Sequence, residues 1–470
     1  MDKKQITSFV QPKIRFFRLD FFRNQIFIPR AFWIIALFLI QPVILAEQLS
    51  FDGELRERFE IWDGLNKKTY GDQSLDSNGK PVGKSNDRLW LQRLIFGLSY
   101  ESKRVSAKIH LYDARVWGWS LNQNDFIKRS DDEYVMDPYE EYFDLFDGYF
   151  DIRFNNQLSL RAGRQKIWYG DKRAFGPGSW GNSVGWLWDA ARFSYKKERH
   201  FFDIWYGQTK TKDPESFSLT SKHAYQGVGI YSHYSFTPNG AIEPFFTWKN
   251  GLFYDKGQKE DSYFWGLRVF DKNFHQFNYD ISGVTETGAF HQRQGPDRKI
   301  DAYAYVVKLG YTFKDLPLQP KIVIGRVYAS GDNNPENPEI TSFTRPFGST
   351  DGSHYGRLDA MFWGNMIDNQ INLYLKPHPK WDLKIAYHRF YLAEKEDKWS
   401  YYKYKVPNNQ YDHIGDEFDG VLKYNYSKSL QFQCIYAYLN AGRFITENQI
   451  AQNDASRLML QVQYQFSYPF

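Results

Sequence analysis

Arg161, Arg164, Lys166, Asp189 and Arg192 fall within one stretch, QLSLRAGRQKIWYGDKRAFGPGSWGNSVGWLWDAARF, from Gln157 to Phe193. A guanidinium presents a planar fork of donors to a carboxylate, so a series of them suits stepwise binding of an anion rather than covalent chemistry. Spacing argues against the common alternatives. GKPVGKS at 79–85 falls short of a phosphate loop, because Asn78 stands where the first glycine is required. GPGSWG at 176–181 is not a nucleophile elbow, since Pro177 takes the first glycine's place. The ten histidines show no spacing of a zinc motif. Asp332, Asn333, Asn334 and Glu336 carry oxygens that suit calcium, although a solvated loop is the plainer reading of SGDNNPENPE at 330–339. Neither a metal nor a cofactor is called for, nor is an enzyme.

What positions these bases is a chain of strands. Aromatic residues make up 19 % of the sequence, yet the mean hydropathy is −0.62. An exported chain that is aromatic-rich and polar on average fits a transmembrane barrel, in which each strand shows one apolar and one polar face. The only long apolar run, AFWIIALFLIQPVILA at 31–46, follows a basic segment, which predicts a signal peptide over 1–46 and a barrel over 47–470. Removing residues 1–46 takes away seven bases and two acids and leaves 53 of each, so bulk charge gives no reason to expect nucleic acid. The single Cys434 excludes an internal disulfide.

Period-2 alternation marks eighteen runs of about ten residues, the length that crosses a bilayer at a tilt. The connections between them alternate short and long. The expected fold is therefore an all-β, antiparallel, up-and-down transmembrane barrel of about 18 strands, with short periplasmic turns, long extracellular loops and both termini periplasmic. The last run is the clearest: Leu458, Leu460, Val462, Tyr464, Phe466, Tyr468 and Phe470 alternate with Gln461, Gln463 and Gln465. Ending on Phe470, it looks like the signal read by the barrel-assembly machinery.

Alternation also predicts what faces the lumen. Arg56, Arg58 and Glu60 turn inward in the first run, Arg93 in the second, and Lys108 and His110 in the third. Asp151, Arg153, Arg161, Arg192 and Lys196 follow, then Arg268, Lys308, Lys384, His388, Glu417, Asp419 and Lys423. Each base has two readings, a stitch to a nearby carboxylate or a contact for an anion in a water-filled pore. Arg164 and Lys166 fall on the lipid side, at a cost of about 2–4 kcal/mol for a base at mid-membrane. A bulge at Gly163 would turn Arg164, Lys166 and Trp168 inward and Ile167 and Tyr169 to lipid.

AGRQ and YGDKR before WDAAR at 188–192, ASGD at 329–332, YGRLD at 355–359 and the run from GDEFD at 415–419 to LNAG at 439–442 stand in order. In these motifs the chain resembles the alginate export family of outer-membrane barrels. The resemblance implies an eighteen-stranded monomer that passes an anionic polyuronate through an arginine-lined constriction. It also implies pore roles for Arg161, Arg164 and Arg192 with Asp189 as counter-charge, and for Lys108, Asp113, Arg115 and Arg153 beside them. Strand alternation does not turn Asp113 and Arg115 inward. A general or small-solute porin, or a glycan-binding or adhesion barrel acting through its long loops, are the other readings. Expected partners are the transported carbohydrate, outer-membrane lipid and periplasmic export components.

Overall fold

The computed structural model describes residues 48–64, 86–120, 128–129, 134–135, 139–176, 182, 187–210, 223–251, 259–292, 294–348, 351–400, 405–450 and 454–470. The predicted signal peptide lies outside them.

Eighteen antiparallel strands form the wall: β1 (Gln48–Asp63), β2 (Asp87–Glu101), β3 (Val105–Trp117), β4 (Glu141–Arg153), β5 (Leu158–Lys166), β6 (Leu187–Lys197), β7 (His200–Lys210), β8 (His223–Ser235) and β9 (Gly240–Gly251) in the first half. The second half adds β10 (Lys259–Phe274), β11 (Phe277–His291), β12 (Arg298–Thr312), β13 (Lys321–Ala329), β14 (Met366–His378), β15 (Trp381–Tyr391), β16 (His413–Asn425), β17 (Leu430–Ala441) and β18 (Ala455–Pro469). Each strand pairs with its sequence neighbours, and β1 pairs with β18 from Ser50 opposite Pro469 to Asp63 opposite Ser456. That last ladder closes the sheet and removes its edges, which is what lets strands stand in hydrocarbon. The expected barrel, its strand number and its alternation of short and long connections are all present.

The pleat decides which side chains meet lipid. Leu98, Ile109, Ile281, Ile324, Ile371 and Leu460 are exposed on the outer wall, whereas their alternates point inward. Much of the interior at the long-loop end is packed rather than open. Ile167, Tyr169 and Phe175 from the β5–β6 connection join wall residues Trp188, Trp205, Tyr231 and Phe264. Phe343, Phe347, Met361 and Trp363 from the β13–β14 connection, Trp399, and Phe444 on a short helix (Arg443–Glu447) complete this core. A parallel bridge, Phe347 to Phe175 and Gly348 to Gly176, ties the two connections together.

The predicted bulge at Gly163 is absent. The β5 ladders to β4 and β6 run through Gly163 in unbroken register, and the glycine instead takes φ +124°. A Cβ there would sit 2.3 Å from the Gly148 carbonyl oxygen, so only glycine fits. Two register shifts lie instead on β4: His110 faces Asp147 but Leu111 faces Leu145, which leaves Phe146 as an extra residue, and a second falls between Tyr112 opposite Asp144 and Ala114 opposite Glu141.

From this point the wall overlaps itself. Beyond Gly148 opposite Arg164, β4 follows β3 while β5 follows β6, and the two strands part. The outer face of the β5–β7 ends then lies against the inner face of β2–β4. Leu187 packs with Ile95, Tyr112 and Phe146. The Lys166 ammonium sits 4.4 Å from the Phe146 ring centroid. Lys210 reaches Glu141 and Asp144 across the overlap. Arg164 thus escapes lipid because the sheet folds inward behind a second layer, not because its strand changes parity. Ile167 and Tyr169, expected toward lipid, are buried in the interior core, and Trp168, expected inward, is exposed.

Candidate functional site

Most of the predicted bases are already committed. Arg58 Nε lies 2.7 Å from Glu60 in an ion pair, and Arg457 of β18 donates to the same carboxylate at 2.8 Å. Arg93 pairs with Glu54 at 2.5 Å. Arg56 donates to the carbonyl and side-chain oxygens of Asn182 at 3.1 and 2.8 Å, which pins the β5–β6 connection to β1. Lys108 lies 3.9 Å from Asp52, and His110 bridges Asp52 and Asp147. Arg153 sits at the short-turn end and contacts Glu101 and the Ser102 carbonyl.

The three arginines singled out by motif have different fates. Arg161 donates twice to Asp151 and stacks 4.1 Å from the Tyr149 ring centroid. Arg192 lies directly opposite Arg161 in the β5–β6 ladder, 3.9 Å from Asp203. Both face the lumen, and each has a carboxylate on its far side. Arg164 makes a bidentate pair with Asp189 at 2.8 and 2.9 Å and donates to the Leu145 carbonyl, all within the overlap. Arg164 and Asp189 therefore form a wall joint rather than a pore contact. Asp113 and Arg115 pair bidentately at 2.7 Å on the strand face that also carries the exposed Ile109 and Trp117. Their family-implied pore placement does not match this geometry: they stand on the outer wall.

The uncommitted cations lie elsewhere. Lys308 of β12, Lys384 of β15 and Lys423 of β16 alternate inward, and none has a carboxylate partner among the described residues. Arg357, on the β13–β14 connection, likewise has a buried Nε without a hydrogen-bond partner. Sequence alternation had these lysines inward, but it had no means of telling a stitched base from a spare one. Arg357 was missed as a site residue although it lies in the YGRLD motif, because a loop gives no period to read.

The β13–β14 connection is held across the lumen by wall carboxylates. Glu286 accepts from the Thr344 amide at 2.7 Å, Glu417 from the Leu358 amide at 2.7 Å, and Asp419 from the Arg357 amide at 3.0 Å. His354 Nε2 donates to the Asp171 carbonyl at 3.0 Å, while its Nδ1 faces Arg173 at 3.5 Å, a network that assigns the neutral tautomer. Burial, reinforced by the Arg173 charge, pushes the imidazole down to about 3. Burial alone would raise the Asp171 carboxyl, but Arg173 at 2.9 Å outweighs it and holds the group well below the usual range.

A histidine whose folded pKa is depressed contributes stability that is complete above its unfolded value of about 6.5 and is lost as pH falls toward 3. Between about pH 7 and about pH 5, wild type should therefore lose more thermal stability than His354→Gln. Equal losses would remove His354 as the titrating group.

Asp332 does not gather the proposed calcium donors. It caps its own turn through the Asn334 amide and faces Arg298 at 3.5 Å. No group of three His, Cys, Asp or Glu side chains suited to a metal occurs among the described residues.

The fold has solved counterparts. OccAB1 of Acinetobacter baumannii superposes with a TM-score of 0.59 at 11 % identity, covering 89 % of this chain and 96 % of that one. OpdQ of Pseudomonas aeruginosa gives 0.56 at 12 %, covering 90 % and 99 %. OccK8 (OprE) of the same organism gives 0.55 at 12 %, covering 90 % and 98 %. At such identity they speak for the barrel and not for the solute. No curated protein sequence matches the chain. The family model described as alginate export matches residues 47–458, which takes in every strand but most of β18. On that match over nearly the whole barrel, the chain is an outer-membrane β-barrel channel of the alginate export family.

Proposed function

We propose that the channel gives selective passage to an anionic polysaccharide or oligosaccharide of the polyuronate type, without covalent chemistry. The observation that carries this reading is the set of lumen cations without a carboxylate in direct contact among the described residues, Lys308, Lys384, Lys423 and Arg357. A pore selects anions when its lining offers charge that the protein has not already neutralised, and it conducts when no single site binds too tightly. Arg161 and Arg192 add a point where two guanidiniums stand side by side, each shared with an aspartate. The packed long-loop half weighs against a wide general porin.

In this reading the short turns and both termini are periplasmic, Phe470 serves barrel assembly, and the protein works as a monomer, with periplasmic export components as neighbours. Planar-bilayer recordings test the selectivity. Wild type should favour anions, and the combined Lys308→Gln, Lys384→Gln and Lys423→Gln variant should lose most of that preference. Replacing Arg161 and Arg192 should have the smaller effect, because it also frees Asp151 and Asp203. A cation-selective wild type would sink the proposal.

A further inference from the structure

At the short-turn end of the lumen, three side chains stand in one row across three strands. Lys321 of β13 is opposite Tyr374 of β14, and Tyr374 is opposite Lys384 of β15. Tyr374 shares the inward face with the buried Gln370 and Asn372, while Ile371 points to lipid. The Lys321 ammonium lies 4.6 Å from the Tyr374 ring centroid and the Lys384 ammonium 5.9 Å from it. Neither lysine has a carboxylate partner among the described residues, and all three side chains are half-buried.

The next row along the wall continues in kind. Lys423 is opposite Gln433, and Gln433 is opposite Gln461, all with inward parity. Arg357 comes from the β13–β14 connection within electrostatic reach of Tyr374, Lys384 and Lys423. Among the described residues two carboxylates share this face: Asp382, which Lys376 and Asn425 already attend at 3.9 and 3.2 Å, and Asp419, which accepts from the Arg357 amide at 3.0 Å. The surface therefore offers an aromatic ring, uncommitted cations on two of its sides and a border of amides.

We propose that Lys321, Tyr374 and Lys384, with Lys423 and Arg357 beside them, form a docking platform for one sugar-carboxylate unit of an anionic saccharide, at the mouth of the lumen on the short-turn side. The ring supplies an apolar face of pyranose size, the ammonium groups bind the ring-borne carboxylate, and the glutamine amides take hydroxyls. A bare phosphate or chloride would use the cations but not the ring; a neutral sugar would use the ring but not the cations. The saccharide needs both, so the platform discriminates by requiring two chemistries together. Its place makes it a first contact for material arriving from the short-turn side. This inference rests on the anionic-carbohydrate reading of the channel.

The test uses the whole barrel in a planar bilayer, with defined oligouronates, or neutral oligosaccharides of equal length, added to one side at a time. Wild type should show current blocks by oligouronate that begin more often from the short-turn side, and none by the neutral oligomer. Lys321→Gln with Lys384→Gln, and separately Tyr374→Ala, should weaken the block about tenfold, equivalent to ~1.4 kcal/mol. Tyr374→Phe should keep it. The lysine exchanges remove no salt bridge, so they leave the barrel's own pairing intact and remain informative if Tyr374→Ala does not assemble. Oligouronate block that persists unchanged in the lysine variant would overturn the platform while leaving the channel reading standing. Absence of block from either side in an anion-selective wild type would overturn both.

Discussion

Lys210→Met is expected to destabilise the barrel by about 3–5 kcal/mol, the usual cost of taking away one partner of a buried ion pair. Lys210 is enclosed in the overlap between β4 and β7, where its ammonium meets Glu141 at 2.9 Å together with Asp144, and all three side chains are nearly without solvent contact. Methionine has the length and bulk of the lysine stem, so packing changes little. What changes is charge: two carboxylates are left facing each other away from water. The companion variant, Lys210→Met with Glu141→Gln and Asp144→Asn, should regain most of the loss, because the like charges are gone. Urea unfolding followed by tryptophan fluorescence reads both. A single variant within ~0.5 kcal/mol of wild type would mean that water reaches the overlap and the pair is not buried.

Glu60→Ala should cost about as much, again about 3–5 kcal/mol, at the closing ladder. Glu60 is the carboxylate between Arg58 and Arg457, and it also accepts from Trp62. Its removal leaves two buried guanidiniums side by side across β1 and β18, the pair of strands whose ladder closes the barrel. The effect should appear as a lower temperature for the loss of the compact, heat-modifiable form on gels. Glu60→Gln, which keeps an acceptor oxygen, should fall between alanine and wild type. If alanine migrates and melts like wild type, the closing network is ornamental.

The barrel was legible because its physical requirement is local. A strand that separates lipid from a polar interior must alternate, and β18 states that requirement residue by residue from Leu458 to Phe470. Alternation also placed Arg58, Arg93, Lys308 and Lys384 inward as the structure does. Two things escaped it. The first is pairing across strands: whether Arg161 is spent on Asp151 depends on a β4–β5 register that one strand's sequence does not contain. The second is departure from a single-layered wall. Two charges on the wrong face of β5 pointed to trouble near Gly163, and the glycine does mark the place, but the remedy involves Tyr112, Phe146 and Lys210 on three other strands. A lipid-facing arginine in sequence thus became an arginine between two protein layers. The inward turn of the β13–β14 connection was missed for a related reason, since Glu286, Glu417 and Asp419 read as polar lumen positions and give no sign of the backbone amides they hold.

The bridge between Phe175 and Phe347, with the core around it, also orders events in time. The core draws on residues from Ile167 to Ala455, and the Glu60–Arg457 contact spans almost the whole barrel sequence. Contacts between such distant segments form late, after the hairpins between neighbouring strands have removed most of the chain's freedom. The Phe175–Phe347 bridge joins segments closer in sequence than the β1–β18 ladder that closes the wall, so by separation alone it forms no later than closure, and permeability is set as the strands zip up rather than afterwards.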